Sequence, residues 1–313
     1  MAKNIATREA YGKTLVELGE KNKNIVVLDA DLSKSTKTAE FGEKYPERFI
    51  NMGIAEGDLM TTAAGLSTCG KIPFASTFAM FAAGRAFEQI RNSICYPKLN
   101  VKIAATHAGL TVGEDGATHQ PIEDISIMRS IPNMTVISPS DAVETRAAIL
   151  AAAEYKGPVY IRLGRLAVPV LYNEEDFKFE IGKAITLKDG KDVTIIATGI
   201  MVSKAIEAAE TLKAEGIDAR VLDIHTIKPI DKEAIIKAAK ETGAIITAEE
   251  HSIIGGLGSA VAEVLCEECQ AKLKRVGVMD TFGQSGKPDE LLKLYGLTSE
   301  RLVEEAKSII SKK

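Results

Sequence analysis

Short apolar runs alternate with longer stretches of helical spacing along most of this chain. In the first half, Ile25–Leu28, Val101–Thr106, Thr135–Ser138 and Val159–Leu163 are runs bounded by polar or turn residues, the pattern of strands buried on both faces. Between them, Gly57–Thr68 predicts a helix of small residues, and Phe81–Cys95 a helix ended by Pro97. Ala142–Tyr155 predicts a third, with Ser140 or Asp141 as its N-cap. A Gly-rich loop, Gly109–Gly116, follows the second strand.

From Leu166 to Asp192 the periodicity lapses around Pro169, Gly182 and Gly190, which predicts a linker with a hairpin-like crossing. The alternation then restarts. Strands are predicted at Val193–Ala197, Asp218–Leu222, Ala244–Ala248 and Lys274–Met279. Helices are predicted at Val202–Glu215, Lys232–Glu241 and Gly256–Glu268, the first two closed by Gly216 and Gly243, with further helices finishing the chain. Strands separated by helices predict an α/β fold with mainly parallel sheets flanked by helices. The expected division is one domain over 1–172, a linker over 173–190 and a second domain over 191–313.

The length of 313 residues suits two domains. A net charge of −4 supplies no electrostatic reason to bind nucleic acid or an anionic membrane. No apolar run approaches a membrane span, and the first residues lack the apolar core of a signal peptide, which favours the cytoplasm. Cys266 and Cys269 form a C-x-x-C, but no second pair at metal spacing accompanies them, so reduced thiols are expected and no metal site is assigned.

Three segments carry more chemistry than a core needs. Asn51–Asp58 sets Glu56 among small and apolar residues before a helix. Ser76–Phe81 places Phe78 and Phe81 three apart in a chain that is 5% aromatic. Thr106–Pro121 gathers His107, His119, Glu114 and Asp115 with glycines after a predicted parallel strand, where open α/β sheets place ligands. Each alone has a structural account: a helix-start acid, a packed aromatic pair, a turn.

Together, in this order, they resemble the transketolase family. The resemblance rests on Gly53-Ile-Ala-Glu, Ser76-Thr-Phe-Ala-Met-Phe and Gly113-Glu-Asp-Gly-Ala-Thr-His-Gln-Pro, supported by Ala6-Thr-Arg-Glu-Ala-Tyr-Gly, Ile161-Arg-Leu-Gly-Arg and Ser285-Gly-Lys-Pro. It covers essentially the whole chain and implies a pyrimidine-binding domain followed by a transketolase carboxy-terminal domain. It also implies thiamine diphosphate as cofactor, held here on its pyrimidine side. Glu56 would be the acid at the aminopyrimidine ring nitrogen, which needs an apolar site that raises its pKa. Phe81 would stack on the ring, with Phe78 behind it and Asp31 on the thiazolium side. His107, Asp115 and His119 would face the sugar, the histidines exchanging protons with it. Arg8, Ser35 and Arg165 would hold the sugar phosphate.

The family's Gly-Asp-Gly with a later Asn, which binds the diphosphate and Mg²⁺, is not found. The resemblance therefore implies a carboxy-terminal subunit of a split transketolase. It would transfer a two-carbon ketol unit between sugar phosphates of the pentose phosphate pathway only with an amino-terminal partner that binds Mg²⁺, in a two-plus-two assembly. Related alternatives are the beta subunit of a 2-oxo acid dehydrogenase, disfavoured by the Glu-Asp-Gly-Ala-Thr-His-Gln loop, and half of a 1-deoxyxylulose-5-phosphate synthase, disfavoured by the His107 context and Gln120-Pro121. A non-catalytic assembly module is the third. Gly255-Gly-Leu-Gly-Ser-Ala suggests a phosphate loop, but the neighbouring Glu249 and Glu250 argue for helix packing instead, and His225 and His251 are assigned structural or interfacial places.

Overall fold

Every residue of Ile25–Asp29 (β2), Lys102–Thr106 (β5) and Val159–Arg162 (β7) is buried, as a parallel sheet covered on both faces requires. In the computed structural model, which describes residues 4–311, these strands form the middle of a seven-stranded sheet. Its other members are Phe49–Asn51 (β3), Ile72–Phe78 (β4), Thr135–Ile137 (β6) and Thr226–Lys228 (β12). The order is β12-β6-β7-β5-β4-β2-β3, and all neighbours run parallel except β12 against β6. Leu28, Ala75 and Ile103 face one core with Leu59, Met60 and Ile90 of the flanking helices. Val27, Phe74 and Ala104 face the other, with Tyr11, Leu15 and Ile149.

A second sheet joins Ile185–Lys188 (β9), Val193–Ala197 (β10), Ala219–Asp223 (β11), Ala244–Ser252 (β13) and Lys272–Val278 (β14) in the order β14-β13-β10-β11-β9. Only its edge strand β9 is antiparallel. The expected α/β architecture is therefore present, with parallel sheets between helices. Strands β3 and β4 add to those that the pattern predicts, and three further details depart from the sequence expectation. The linker stretch contains β9, and a further strand, Ala167–Pro169 (β8), pairs with Asn4–Ala6 (β1). Strand β12 lies within 191–313 yet completes the first sheet by pairing Thr226 with Ile137. The helix expected over Phe81–Cys95 is wound as two π-type stretches, Phe81–Arg85 and Ile90–Cys95, around the short α-helical piece Phe87–Gln89.

The helix ends follow ordinary capping. Asp141, rather than Ser140, caps the helix Ala142–Glu154 by accepting from the Glu144 N–H at 2.7 Å. Gly243 closes Lys232–Thr242 in the left-handed conformation. Glu249 accepts from the N–H groups of Leu257 and Gly258, at 2.7 and 2.8 Å, and fills the start of the helix Leu257–Glu268. A carboxylate already occupies the place where a phosphate would bind, so the Gly255 segment is a packing device. His251 is buried and accepts from the Ser126 N–H, and His225 is buried against the Phe179 ring at 4.2 Å.

The two sheets are strapped by buried acids. Asp141 accepts from the Leu171 and Tyr172 N–H groups at 2.6 and 3.1 Å, and the Tyr172 hydroxyl donates to Asp223 at 2.8 Å. Glu144, bonded to Ser140, lies beside Asp223, and each has one carboxyl oxygen with no partner among the described residues. Burial, with the Asp141 charge adding to it, pushes Asp223 up to about 7, and burial with the Asp223 charge adding to it pushes Glu144 well above the usual carboxylate range. Burial also holds Glu249 and Glu250 at about 7. In the unfolded chain these groups titrate near pH ~4. The folded chain thus holds more protons than the unfolded one between pH ~4 and the folded values near 7, so the stabilisation is fully present below pH ~4 and is lost as pH rises through about 7. The melting temperature is expected to fall between pH ~5 and ~8. Asp223→Asn should flatten that slope. Calorimetry finding a melting point that rises over this range, or a variant with the wild-type slope, would contradict this assignment.

Candidate active site

Parallel strands send their carboxyl ends to one edge of a sheet, and four of them here deliver polar or aromatic side chains. Asp31 follows β2, Phe78 ends β4 with Phe81 just beyond, His107 follows β5, and Arg165 follows β7. Arg8 stands in the first turn of the helix Thr7–Lys21, and Glu56 is the first residue of the helix Glu56–Thr68.

Glu56 is only 5% exposed. Its carboxylate accepts from the Arg85 guanidinium at 3.2 Å, and Arg85 in turn lies 4.1 Å from the centre of the Phe81 ring. The rings continue the chain of contacts. Phe81 stacks with Phe78 at 5.9 Å and meets the His119 ring edge-on at 5.4 Å, while Phe78 lies 4.2 Å from His107. His107 Nε2 is 3.4 Å from Arg8, whose guanidinium donates to the Ser35 carbonyl at 2.9 Å. Arg8 Nε is buried with no partner among the described residues, which suits it to an incoming anion. Arg165 donates to the Val112 carbonyl at 2.5 Å and pairs with Glu114 and Asp115 at 3.4 and 3.8 Å.

Eight of the ten residues singled out from the sequence, together with Ser35 through its carbonyl, thus lie in two contact series that meet around the loop Leu110–Asp115. Asp31 stands apart. It has a left-handed backbone, φ 62°, and accepts from the Asn51 side-chain amide at 3.0 Å beside the Gly53 turn that leads to Glu56. Arg85 was not foreseen, although a cation four residues after Phe81 on a helix was visible in the sequence. Gln120 and Glu250 were also missed as supports. The buried Gln120 amide donates to the carbonyls of Leu110, Gly113 and Gln284, and Glu250 accepts from the Thr111 N–H at 2.5 Å. A Cβ on Gly109, whose φ is +80°, would run into the Glu250 carboxyl. The second domain therefore grips the loop that carries Asp115 and His119.

His107 has a left-handed backbone, φ 61°, and its Nδ1 is 3.2 Å from the Thr106 hydroxyl. Burial, aided by Arg8, Arg165 and His119, lowers its pKa to about 3. A neutral imidazole between two guanidinium groups can donate or accept, but adds no charge to a site already cationic. The described residues contain no group of three or more His, Cys, Asp or Glu side chains able to hold a metal ion, and no helix long and apolar enough to cross a membrane.

Two family models match the chain. The pyrimidine-binding domain of transketolase matches residues 3–170, and the transketolase C-terminal domain matches residues 182–302. This is an α/β chain built on the domain that receives the pyrimidine half of thiamine diphosphate. It belongs to the transketolase family. A Methanocaldococcus jannaschii protein with the provisional name of a transketolase C-terminal section is 58% identical over 306 residues, 96% of each chain. A Clostridium protein named a 6-deoxy-6-sulfo-D-fructose transketolase subunit is 46% identical over 98% of this chain and 95% of its own. A solved structure described as a split-gene transketolase, inactive beta4 tetramer, superposes with a TM-score of 0.91 at 61% identity and 99% coverage of both chains.

The neutral state of His107 is directly observable. Its imidazole ¹³Cε1 resonance is expected to stay flat from pH 8 down to about 4, because its midpoint lies near 3. A His107 titration with a midpoint near ~6.5, the value of a free histidine, would overturn the electrostatic account.

Proposed function

We propose that this chain is the carboxy-terminal subunit of a split transketolase, transferring a two-carbon ketol unit from a ketose phosphate to an aldose phosphate. The observation that carries this reading is the continuous path from a buried Glu56, across Phe81, Phe78 and the two loop histidines, to Arg8 and its unpartnered Nε. Similarity end to end with a protein described as a split-gene transketolase supports the division into two chains. The sulfo-sugar in a relative's name supports an anionic sugar terminus, whose exact carbon skeleton differs among relatives.

Thiamine diphosphate, when bound, supplies the carbon that carries the two-carbon unit. The residues of this chain bind, orient and move protons around it. Glu56, withdrawn from water, would meet the pyrimidine ring nitrogen, and Phe81 offers the flat apolar face that the ring needs, with Phe78 behind it. Asp31 steadies the turn that presents Glu56. Neutral His107, together with His119, donates to or accepts from sugar oxygens, and Asp115 accepts from a sugar hydroxyl. Arg8, Arg165 and the Ser35 segment hold the terminal anion. An amino-terminal subunit carries the diphosphate and Mg²⁺ site, and two copies of each subunit complete a cytoplasmic assembly.

Mixing this chain with that subunit, thiamine diphosphate and Mg²⁺ should give transfer from xylulose-5-phosphate to ribose-5-phosphate. Glu56→Gln should lower kcat by about 10²-fold or more. Arg165→Ala should raise KM for the aldose phosphate by roughly tenfold while leaving kcat much less affected, as loss of a charge-assisted contact does. An unchanged kcat in Glu56→Gln would instead support a non-catalytic assembly module.

A further inference from the structure

Among the described residues, Arg85 is the one cation that touches both features to which the cofactor reading assigns the aminopyrimidine. Its Nη1 lies 3.2 Å from Glu56 Oε1, and its Cζ lies 4.1 Å from the Phe81 ring centre. A guanidinium is planar and edged with N–H donors, so it can lie on an aromatic face and meet a carboxylate at its edge. An aminopyrimidine stacked on Phe81 with its edge on Glu56 would need the same two surfaces. On one carboxyl oxygen and over the ring, Arg85 would compete with it for those surfaces. Arg85 is free to leave, because its side chain is 56% exposed whereas that of Glu56 is 6% exposed. Its backbone belongs to the π-type stretch Phe81–Arg85, which swings Arg85 back over Phe81 and leaves the exposed Gly84 beside it.

We infer that Arg85 is a placeholder for the pyrimidine: in the cofactor-free chain its guanidinium occupies the seat on Phe81 and Glu56, and it swings outward when thiamine diphosphate binds. Until then it gives the buried Glu56 carboxylate a counter-charge and keeps the Phe81 face from water. This makes Arg85 a positioning residue that acts through Glu56 and Phe81, and the inference rests on the cofactor role proposed for those two residues.

The test is the dissociation constant of thiamine diphosphate with Mg²⁺, measured by calorimetry on the complex of this chain with its amino-terminal subunit. Arg85→Ala should tighten the cofactor by roughly three- to tenfold, the modest gain appropriate to one exposed ring contact and one half-exposed ion pair. Arg85→Lys, which keeps the charge but loses the planar face, should fall between the two. In a Glu56→Gln background the gain should shrink, because half of the competition is already gone. Weaker binding by Arg85→Ala would mean that Arg85 holds the cofactor, and unchanged binding would make it a surface ion pair, so either result overturns the placeholder. If Arg85→Ala fails to fold, Arg85→Lys decides alone: cofactor binding no tighter than wild type rejects the idea. If Glu56→Gln alone binds cofactor and turns over as wild type does, the proposed function itself is wrong, which separates that failure from this one.

Discussion

Parallel pairing of β2, β4, β5 and β7 is the constraint on which the rest of this molecule depends. It forces four chain segments out of the same edge of one sheet, so residues as distant in sequence as Phe78 and Arg165 end near one another. The strands are buried along their whole length, and their apolar burial fixes the edge at which they stop. Beyond that edge buried aliphatic residues such as Ala30, Ala79 and Leu163 continue the core, and Asp31, Phe81, His107 and Arg165 stand among them. Two of them, Asp31 and His107, take left-handed backbones that a residue with a side chain adopts only where its surroundings compel it.

The loop after β5 is the weakest part of this scheme, because it is long and rich in glycine. Its order comes from the second domain. Glu250 and the Gln284 carbonyl reach it from one side of the molecule, and Ser285 packs against Gly116 so closely that a Cβ there would sit 2.5 Å from its hydroxyl. The Ser285-Gly-Lys-Pro stretch thus has a mechanical meaning in this chain. Pro288 closes on Gly113, within 3.3 Å of where a side chain would begin. The second domain thus fixes the loop that bears Asp115 and His119. The acid strap at Asp141, Tyr172 and Asp223 holds the two sheets in the register that this grip requires.

Much of this was legible in the residues. Strands such as β5 and β10 are unbroken apolar runs, and burial on both faces leaves no other residue choice, so pattern and structure coincide. Glu56, Phe81 and the His107–His119 loop stood out because charge or aromatic area appears where packing does not need it. What escaped the sequence depends on distance in three dimensions. Pairing of β12 with β6 joins residues about ninety positions apart through a short polar segment with no periodicity of its own. The cation four residues after Phe81 is visible in the sequence, but its contact with Glu56, 29 positions away, is not. The raised pair Glu144 and Asp223 is likewise invisible until two sheets bring the acids together.

A chain that offers the pyrimidine face and the sugar grip, but takes its diphosphate and Mg²⁺ anchors from elsewhere, should be unable to retain the cofactor by itself. The most direct test is equilibrium binding of thiamine diphosphate and Mg²⁺ to each subunit alone and to the two mixed in equal amounts. The account predicts tight binding only in the mixture, with one cofactor for each pair of subunits. Tight stoichiometric binding by this chain alone, or by its partner at the affinity of the mixture, would contradict it.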